Sequence, residues 1–528
     1  MSNQNLRLSS TSACATDLGE AVRRHQQGDF ATAEALYRRV LVGAPDHFDA
    51  CHMLGVLQIQ RGQAAAGIDL LQRALRLRPE APPAWFNLGL GLQQIERHTD
   101  ALAAFERAAE LTPANAEAQR NCGRELLELG QASRALAHLD HAIALRPQLA
   151  EAHSDRSDAL RALNRHAEAD DSATRAIALQ PAMAEAWCNR GLARMEVGRL
   201  DAALADLARA CQLMPSLANA QWNMALCLLL AGQFEAGWRQ FEWRWLGPQR
   251  HAVQYADRPR WDGSQPVAGK TILLHAEQGL GDAIQFCRYA PLLAERGAHI
   301  VLQVHPPLVS LLRSLQGVDR VVSLGQETGA FDLHCPLLSL PLAFGTRLDA
   351  VPAHTPYLAP DAERVQAWKR LFPPTGMMRI GVAVSGSPTH RDDARRSIEL
   401  GRFAALFEAA DVFLLQPQCR EADETFLRTA PAIRDLRRQL ADFADTAALM
   451  QTLDLVISVD TSVAHLAGAL HKPLWLLLPY APDWRWMRGR DDSPWYPGTR
   501  LFRQEEPGNW EDVISRVIDA FGREQGSA

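Results

Sequence analysis

Two short polar segments each follow an apolar run and contain residues that could do chemistry. The first is 277–282, in which Gly279 and Gly281 allow a tight turn and Asp282 supplies a carboxylate. Glycine lets a backbone approach a ligand closely, and a carboxylate at the mouth of a cleft can take a proton from a hydroxyl group. The same aspartate could be only the N-cap of the next helix, and the local sequence alone favours that simpler interpretation.

The second segment runs from Asp460 to His465, again between an apolar run and a helical pattern. The N–H groups that begin a helix, together with the hydroxyls of Thr461 and Ser462 and the ring of His465, could bind a diphosphate. Asp460 could then orient a ribose or sugar hydroxyl. A plain helix cap with a half-buried histidine explains these residues equally well.

A polar loop at 385–397 follows a third apolar run and contains Ser385, Gly386 and Arg396. A cation in this loop could stabilise the charge that builds on a departing nucleotide. Solvated surface loops have a similar composition, so the loop alone is weak evidence. The adjacent acids at 392–393 have no third ligand near them in the sequence, and we therefore expect no required metal.

Alternating strand and helix patterns must position these segments. Short apolar runs, which predict strands, occupy 271–275, 300–304, 379–384, 412–415, 455–459 and 473–478. A helical stretch at 283–296 separates the first two, and 510–521 reads as a closing helix. Such alternation predicts parallel sheets, and we expect two Rossmann-like lobes, at 270–372 and 373–523. Ligands of such folds bind at the carboxyl ends of the strands, here in the cleft between the lobes.

The first half is a repeat with a period of 34 residues. Prolines recur in register at Pro45, Pro79, Pro113, Pro147, Pro181 and Pro215. Small residues recur ten residues after each proline and alanines five before the last five, where two helices must approach closely. This pattern resembles the tetratricopeptide repeat and predicts an α-solenoid at 14–245, of about six repeats and a degenerate capping unit, followed by a linker at 246–269. We expect the aromatic run Trp238–Trp245 to cap the array by packing on the next domain.

The composition of the chain argues against several classes of function. The 528 residues carry a net charge of -6, which gives no general attraction to nucleic acid. The nine cysteines are scattered without a metal-binding spacing, which is typical of a reducing compartment. The polar N-terminus and the lack of a long apolar run predict a cytoplasmic protein without a membrane span.

From about 270 to 515 the sequence resembles the heptosyltransferase-type glycosyltransferases of GT-B fold. Gly279–Asp282 matches that family's Gly-x-Gly-Asp turn, and Asp460–Ala467 matches its Asp-Thr-x-x-x-His-Leu-Ala signature. The chain is also similar to bacterial proteins in which tetratricopeptide repeats precede such a domain, some of them implicated in flagellin glycosylation.

The resemblance implies roles for individual residues. Asp282 would deprotonate the acceptor, while the nucleotide-sugar would be bound by Asp460, Thr461, Ser462 and His465. Arg396 stands where the family usually has lysine, which keeps the charge but changes its geometry. Gln416 would reach the nucleotide, on weaker grounds.

The resulting expectation is an inverting, metal-independent glycosyltransferase without a cofactor, using a nucleotide-sugar donor and a protein acceptor recruited by the repeat groove. Two alternatives remain open. One is a repeat scaffold whose C-terminal lobes bind a nucleotide-sugar without turnover or bind nothing, and the other is an enzyme with a glycan or lipid-linked acceptor.

Overall fold

The computed structural model describes residues 2–246, 254–373, 375–387, 393–430 and 432–525, with side chains from residue 14 onward. The chain divides into two compact units, residues 1–193 and 194–528. Residues 247–253 of the predicted linker and residues 388–392 of the predicted polar loop lie outside the described residues.

The first unit is built from helical hairpins. Its helices are α1 (Ser2–Gln26), α2 (Phe30–Gly43), α3 (Phe48–Gln60), α4 (Ala64–Leu77), α5 (Pro82–Gln94), α6 (His98–Leu111), α7 (Ala116–Glu128), α8 (Ala132–Leu145), α9 (Ala150–Ala162), α10 (His166–Leu179) and α11 (Ala184–Glu196), which ends in the second unit. From α3 onward, each odd-numbered helix begins three residues after a repeat proline. Proline cannot continue a helix, so it lies in the turn between hairpins. The predicted solenoid is confirmed.

The small residues of the repeat mark the points where the two helices of a hairpin meet. A methyl group at Gly89 would lie 2.6 Å from the ring of Phe105, and one at Gly123 would lie 2.6 Å from Leu139. Ser157, at the same repeat position, donates its hydroxyl to the backbone carbonyl of Ala169 at 2.8 Å. The alanines that precede the prolines by five residues are fully buried, at positions 74, 108, 142, 176 and 210. The predicted close approach therefore occurs.

The second unit begins with the last helices of the array and continues into two parallel sheets. The helices are α12 (Leu200–Leu213), α13 (Ala218–Leu230) and α14 (Phe234–Phe241), followed by a 3-10 helix at Glu242–Trp245. The first sheet has the order β3-β2-β1-β4, with β1 (Thr271–His275), β2 (His299–Val304), β3 (Arg320–Ser323) and β4 (Leu333–Pro336). Around it lie α15 (Leu280–Phe286), α16 (Ala290–Ala294), α17 (Val309–Leu312) and α18 (Leu340–Ala343), followed by α19 (Ala362–Leu371).

The second sheet has six strands in the order β10-β9-β8-β5-β6-β7. They are β5 (Arg379–Ala383), β6 (Asp411–Leu414), β7 (Ile433–Asp435), β8 (Leu455–Val459), β9 (Leu474–Leu478) and β10 (Thr499–Arg503). Its helices are α20 (Asp393–Arg396), α21 (Ala404–Glu408), α22 (Glu421–Leu427), α23 (Phe443–Met450), α24 (Ser462–Ala469) and α25 (Trp510–Gln525). The expected α/β region with parallel sheets is confirmed.

One predicted element differs from the structure. The helical stretch expected at 283–296 is divided into α15 and α16 by a 3-10 turn at Cys287–Tyr289. Pro291 has no N–H group to donate to the carbonyl of residue 287, so a continuous α-helix would lose a hydrogen bond there.

Candidate functional site

The predicted site residues follow the carboxyl ends of parallel strands. Asp282 comes after β1 and Ser385 after β5, while Gln416 follows β6 and Asp460 follows β8. In open parallel sheets this is the edge at which ligands bind. The strands therefore position these residues as the sequence predicts.

Gly281 brings the turn of the first sheet against helix α24 of the second. A methyl group at this position would lie 2.7 Å from Cδ2 of His465 and 3.5 Å from Cα of Ser462. Only glycine allows that approach without displacing the histidine. The Gly-x-Gly-Asp turn and the Asp460–His465 segment thus lie side by side.

Asp282 is held by donors from both sheets. Its Oδ2 accepts the backbone N–H of Gly279 at 2.9 Å. Gly279 is the N-cap of α15 and Asp282 is the third residue of the helix, so the aspartate is not itself the N-cap that the simpler interpretation expects. Its Oδ1 accepts a hydrogen bond from Nη2 of Arg485, which follows β9. The Asp282 side chain retains 19% exposure. Capping and a chemical role are therefore compatible, because each carboxylate oxygen has a second lone pair.

His465 is a buried neutral histidine. Its Nδ1 is 2.8 Å from the hydroxyl of Tyr496, and its ring stacks on Trp486 with the centroids 5.5 Å apart. Burial holds the pKa of His465 well below its usual value, and the nearby arginines Arg485, Arg288 and Arg396 lower it further. The ring therefore serves as a hydrogen-bonding and packing group at neutral pH.

Asp460 lies near the carboxylate of Asp483 and the guanidinium groups of Arg396 and Arg485. Burial raises the pKa of Asp460 to about 6, with the Asp483 carboxylate adding to the rise and Arg396 opposing it. Its Oδ1 is 3.9 Å from Nε2 of His465. Arg396 also donates from Nη1 to the backbone carbonyl of Asp460 at 2.7 Å. The predicted cation and the predicted sugar-binding acid are thus in direct contact.

The other predicted residues shape the backbone around these groups. Thr461 is the N-cap of α24, and its Oγ1 lies 3.2 Å from the Ser458 hydroxyl. Gln416 accepts the N–H of Ser385 at 3.1 Å and donates to its hydroxyl at 2.9 Å. Ser462 begins the helix, so its backbone N–H belongs to the first turn, where N–H groups lack helical partners.

Asp393 fixes the start of the polar loop. It accepts the N–H of Gly386 at 3.0 Å and hydrogen bonds from Arg396 at 3.4 Å and Arg420 at 2.6 Å. Its oxygens are therefore occupied by protein donors. Across the ranges that the structure describes, no three His, Cys, Asp or Glu side chains are grouped so as to hold a metal ion.

Several residues of this region were not predicted from the sequence. Arg485 and Asp483 lie in the segment after β9, where no motif marks them, although a position after the last buried strand was a usable signal. Glu277 opens the first polar segment, and its buried carboxylate pairs with Arg244 at 2.9 Å. Burial raises the pKa of Glu277 to about 7, against the lowering effect of Arg244.

The aromatic run at the end of the array packs into the core of the second unit. Trp238 is 1% exposed and donates its indole N–H to the carbonyl of Thr346 at 3.0 Å. Its ring contacts Trp484 and Phe286 edge-on, at centroid distances of 5.2 and 6.4 Å. The capping role expected for this run agrees with these contacts.

Family models match segments in both halves of the chain. Models of the tetratricopeptide repeat match residues 24–89, 86–150 and 154–218. The model of glycosyltransferase family 9 (heptosyltransferase) matches residues 411–481, a range that includes Asp460 but not Asp282. The chain therefore combines tetratricopeptide repeats with a C-terminal segment that is similar to sugar-transfer enzymes, and glycosyltransferase family 9 is the particular family that this segment resembles.

Protein FlbA of Caulobacter vibrioides is 26% identical to this chain over 314 residues, which is 54% of this chain and 52% of FlbA. The chain thus spans about half the length of this curated relative.

Solved structures resemble part of the chain. The crystal structure of MamA is 22% identical, covers 30% of this chain and 94% of its own, and has a TM-score of 0.30. A tetratricopeptide repeat protein from Parabacteroides merdae is 15% identical, covers 44% of this chain and 91% of its own, and has a TM-score of 0.39. Among the residues described, no helix is long and apolar enough to cross a membrane.

Proposed function

We propose that this protein is an inverting, metal-independent glycosyltransferase that moves a sugar from a nucleotide-sugar to a protein acceptor. The observation that carries the proposal is the contact between the Gly279–Asp282 turn and the Asp460–His465 segment, which is possible because Gly281 has no side chain. It joins a carboxylate suited to proton abstraction to a helix start suited to phosphate. The match to glycosyltransferase family 9 supports the same class of reaction.

The proposed reaction is a single displacement. Asp282 takes the proton from an acceptor hydroxyl while the acceptor oxygen forms a bond to the anomeric carbon. The bond between that carbon and the diphosphate oxygen breaks, and its electron pair leaves with the nucleoside diphosphate. Arg396 and the N–H groups that begin α24 stabilise the departing charge, an effect of several kcal/mol in a dry cleft. Attack opposite the leaving group inverts the anomeric configuration.

Metal independence is proposed from the charged side chains around the proposed diphosphate site. A cation is needed to stabilise the diphosphate, and Arg396, which contacts the backbone of Asp460, would supply it. Asp393, an acid that could have offered a metal ligand, is bonded to Arg396 and Arg420. Transfer in the presence of excess EDTA tests this point, and a rate restored only by added Mg²⁺ or Mn²⁺ would refute it.

A thermal-shift screen against a panel of nucleotide-sugars tests donor binding. A ligand that binds only the folded protein adds about 2.7 kcal/mol of stability at 100 times its Kd. We expect one nucleotide-sugar to raise the melting temperature by about 5 °C. If no member of a panel covering the common nucleotides does so, the scaffold alternative replaces the enzyme.

Two matched variants make that screen specific. Arg396→Gln should weaken the donor about 10- to 100-fold, because it removes charge-assisted hydrogen bonds to phosphate. Arg428→Gln, an exposed position of the same lobe, makes the same change of residue and should leave the donor affinity unaltered. Equal affinities of the two variants would remove Arg396 from the donor site.

A protein acceptor is proposed because the array consists of tetratricopeptide repeats, which commonly bind peptide segments. Recruitment by the array would raise the effective concentration of the acceptor hydroxyl at Asp282. A cytoplasmic location is part of the same proposal, in keeping with nine free cysteines.

If the array recruits the acceptor, its loss should raise KM and leave kcat nearly unchanged. Once a donor and an acceptor protein are found by a mass gain of one glycosyl residue, the intact acceptor is compared with a short peptide around the modified residue. We expect a similar kcat and a KM at least about 100-fold higher for the peptide. Equal KM values would show that the array does not recruit the acceptor, and transfer only to glycans or lipids would favour the second enzyme alternative.

A further inference from the structure

Arg485 connects the two lobes at the proposed site. It lies in the 3-10 turn Trp484–Trp486 after β9, and its side chain is 9% exposed. Its Nε donates to Oε1 of Gln285 at 2.6 Å, and its Nη1 donates to Oδ1 of Asp483 at 2.9 Å. Its Nη2 donates to Oδ1 of Asp282. One guanidinium of the second lobe therefore holds two residues of the first.

We propose that Arg485 is a positioning residue for sugar transfer, which fixes the Asp282 carboxylate in the orientation that accepts the proton of the acceptor hydroxyl. The inference rests on the proposed function and deepens it. Gly279 binds Oδ2 and Arg485 binds Oδ1, so neither oxygen can rotate away from its place. Each oxygen keeps one lone pair, and one of these pairs can receive the proton.

The geometry of arginine is needed for this role. Its planar fork presents N–H donors in three directions at once, and here they reach Gln285, Asp483 and Asp282. A lysine would bring the charge but only one point of contact. The expected result of Arg485→Lys is therefore partial activity, whereas Arg485→Gln loses both the charge and the fork.

The positive charge of Arg485 also offsets the negative charge of nearby carboxylates, which would otherwise repel the diphosphate of the nucleotide-sugar. Asp282 and Asp483 both pair with it, and Asp460 lies close enough for Asp483 to raise its pKa. Without the guanidinium these acids would face the diphosphate unpaired. Like charges in a partly buried site repel strongly, so the variants should weaken the donor somewhat as well as slow transfer.

The end of the repeat array supports the arginine. Its guanidinium lies 4.4 Å from the ring centroid of Trp484 and 5.7 Å from that of Phe286. Trp484 in turn packs on Trp238 and Phe241 at centroid distances of 5.2 and 6.1 Å. The last helix of the array thereby holds the turn that carries Arg485.

The test measures transfer and donor affinity in the full chain, using the donor found in the screen. We expect Arg485→Gln to lower kcat at least about 100-fold, since a displacement of about 1 Å at a reacting group costs that much. The Kd of the nucleotide-sugar should rise less than about 10-fold, because loss of a nearby charge has a small effect in a partly solvated site. Arg428→Gln should retain the wild-type kcat. Melting temperatures show which variants are folded, and Arg485→Lys provides the milder change if Arg485→Gln is not.

Chemical rescue separates positioning from general structural damage. Guanidinium chloride at a non-denaturing concentration should restore part of the kcat of Arg485→Ala, whereas NaCl at equal ionic strength should not, and neither should rescue Asp282→Asn. A kcat of Arg485→Gln within twofold of wild type overturns the inference. So does a loss of donor binding with unchanged kcat, or an equal response to both salts. A wild-type chain that binds no donor or transfers no sugar overturns the proposed function itself.

Discussion

Replacing Gly281 with alanine tests the contact between the two lobes. The new methyl group would lie 2.7 Å from Cδ2 of His465, a separation that side-chain carbons do not adopt. His465 cannot yield easily, because its Nδ1 bonds to Tyr496 at 2.8 Å and its ring stacks on Trp486. Overpacking of this kind costs about 1–3 kcal/mol.

The helical preference of alanine offsets part of this cost. Gly281 lies in α15 without a positive φ, so alanine gains about 1 kcal/mol of helix propensity. We expect a net loss of up to about 2 kcal/mol, or up to about 4 °C in the melting temperature, in differential scanning calorimetry. The donor affinity should fall too, because the histidine is displaced.

Gly522→Ala is the matched control. Gly522 lies in α25 of the same unit, also without a positive φ, and a methyl group there meets nothing within 4 Å. Its expected effect is neutral or stabilising by up to about 1 kcal/mol. In a His465→Ala background, Gly281→Ala should lose most of its cost, since the overlapping ring is gone. Equal melting temperatures for Gly281→Ala and Gly522→Ala would refute the close contact.

Other changes probe the supports of the site. Arg244→Met leaves the carboxylate of Glu277 buried and unpaired, so the free energy of unfolding should fall by about 3–5 kcal/mol in chemical denaturation. An unchanged denaturation midpoint would contradict the ion pair between Arg244 and Glu277. Trp238→Ala should cost a similar amount by emptying a core position, while Leu246→Ala, at 58% exposure, should stay within about 0.5 kcal/mol. The pKa of His465 is lower in the folded state than in the unfolded state, so the neutral ring stabilises the fold above the unfolded pKa near 6.5, and this stability is lost as the pH falls below 6.5. His465→Gln should therefore flatten the decline of the melting temperature between pH 7 and pH 5. An identical slope in the variant and the wild type would contradict a neutral His465 ring.

The sequence was informative wherever local physics determines the result. The repeat prolines stand in turns because proline cannot continue a helix, so their spacing predicted where hairpins begin. The order of apolar runs predicted parallel strands, and strand ends predicted where Asp282 and Asp460 would lie.

Contacts between distant segments could not be predicted in the same way. Arg485 is separated from Asp282 by about two hundred residues, and its own neighbourhood shows only that it follows a buried strand, not which side chains it contacts. Arg244 pairs with Glu277 only after the end of the array packs on the first sheet. Such pairs depend on tertiary packing, which local periodicity does not record.

The most direct test of the sugar-transfer proposal is the Asp282→Asn variant. Asparagine keeps the size of the side chain but cannot accept the acceptor proton. We expect an affinity for the nucleotide-sugar within about threefold of wild type, measured by calorimetry, and a transfer rate lowered by at least about 100-fold, measured by mass spectrometry of the acceptor. Transfer at the wild-type rate by a folded Asp282→Asn protein would contradict the proposed role of Asp282.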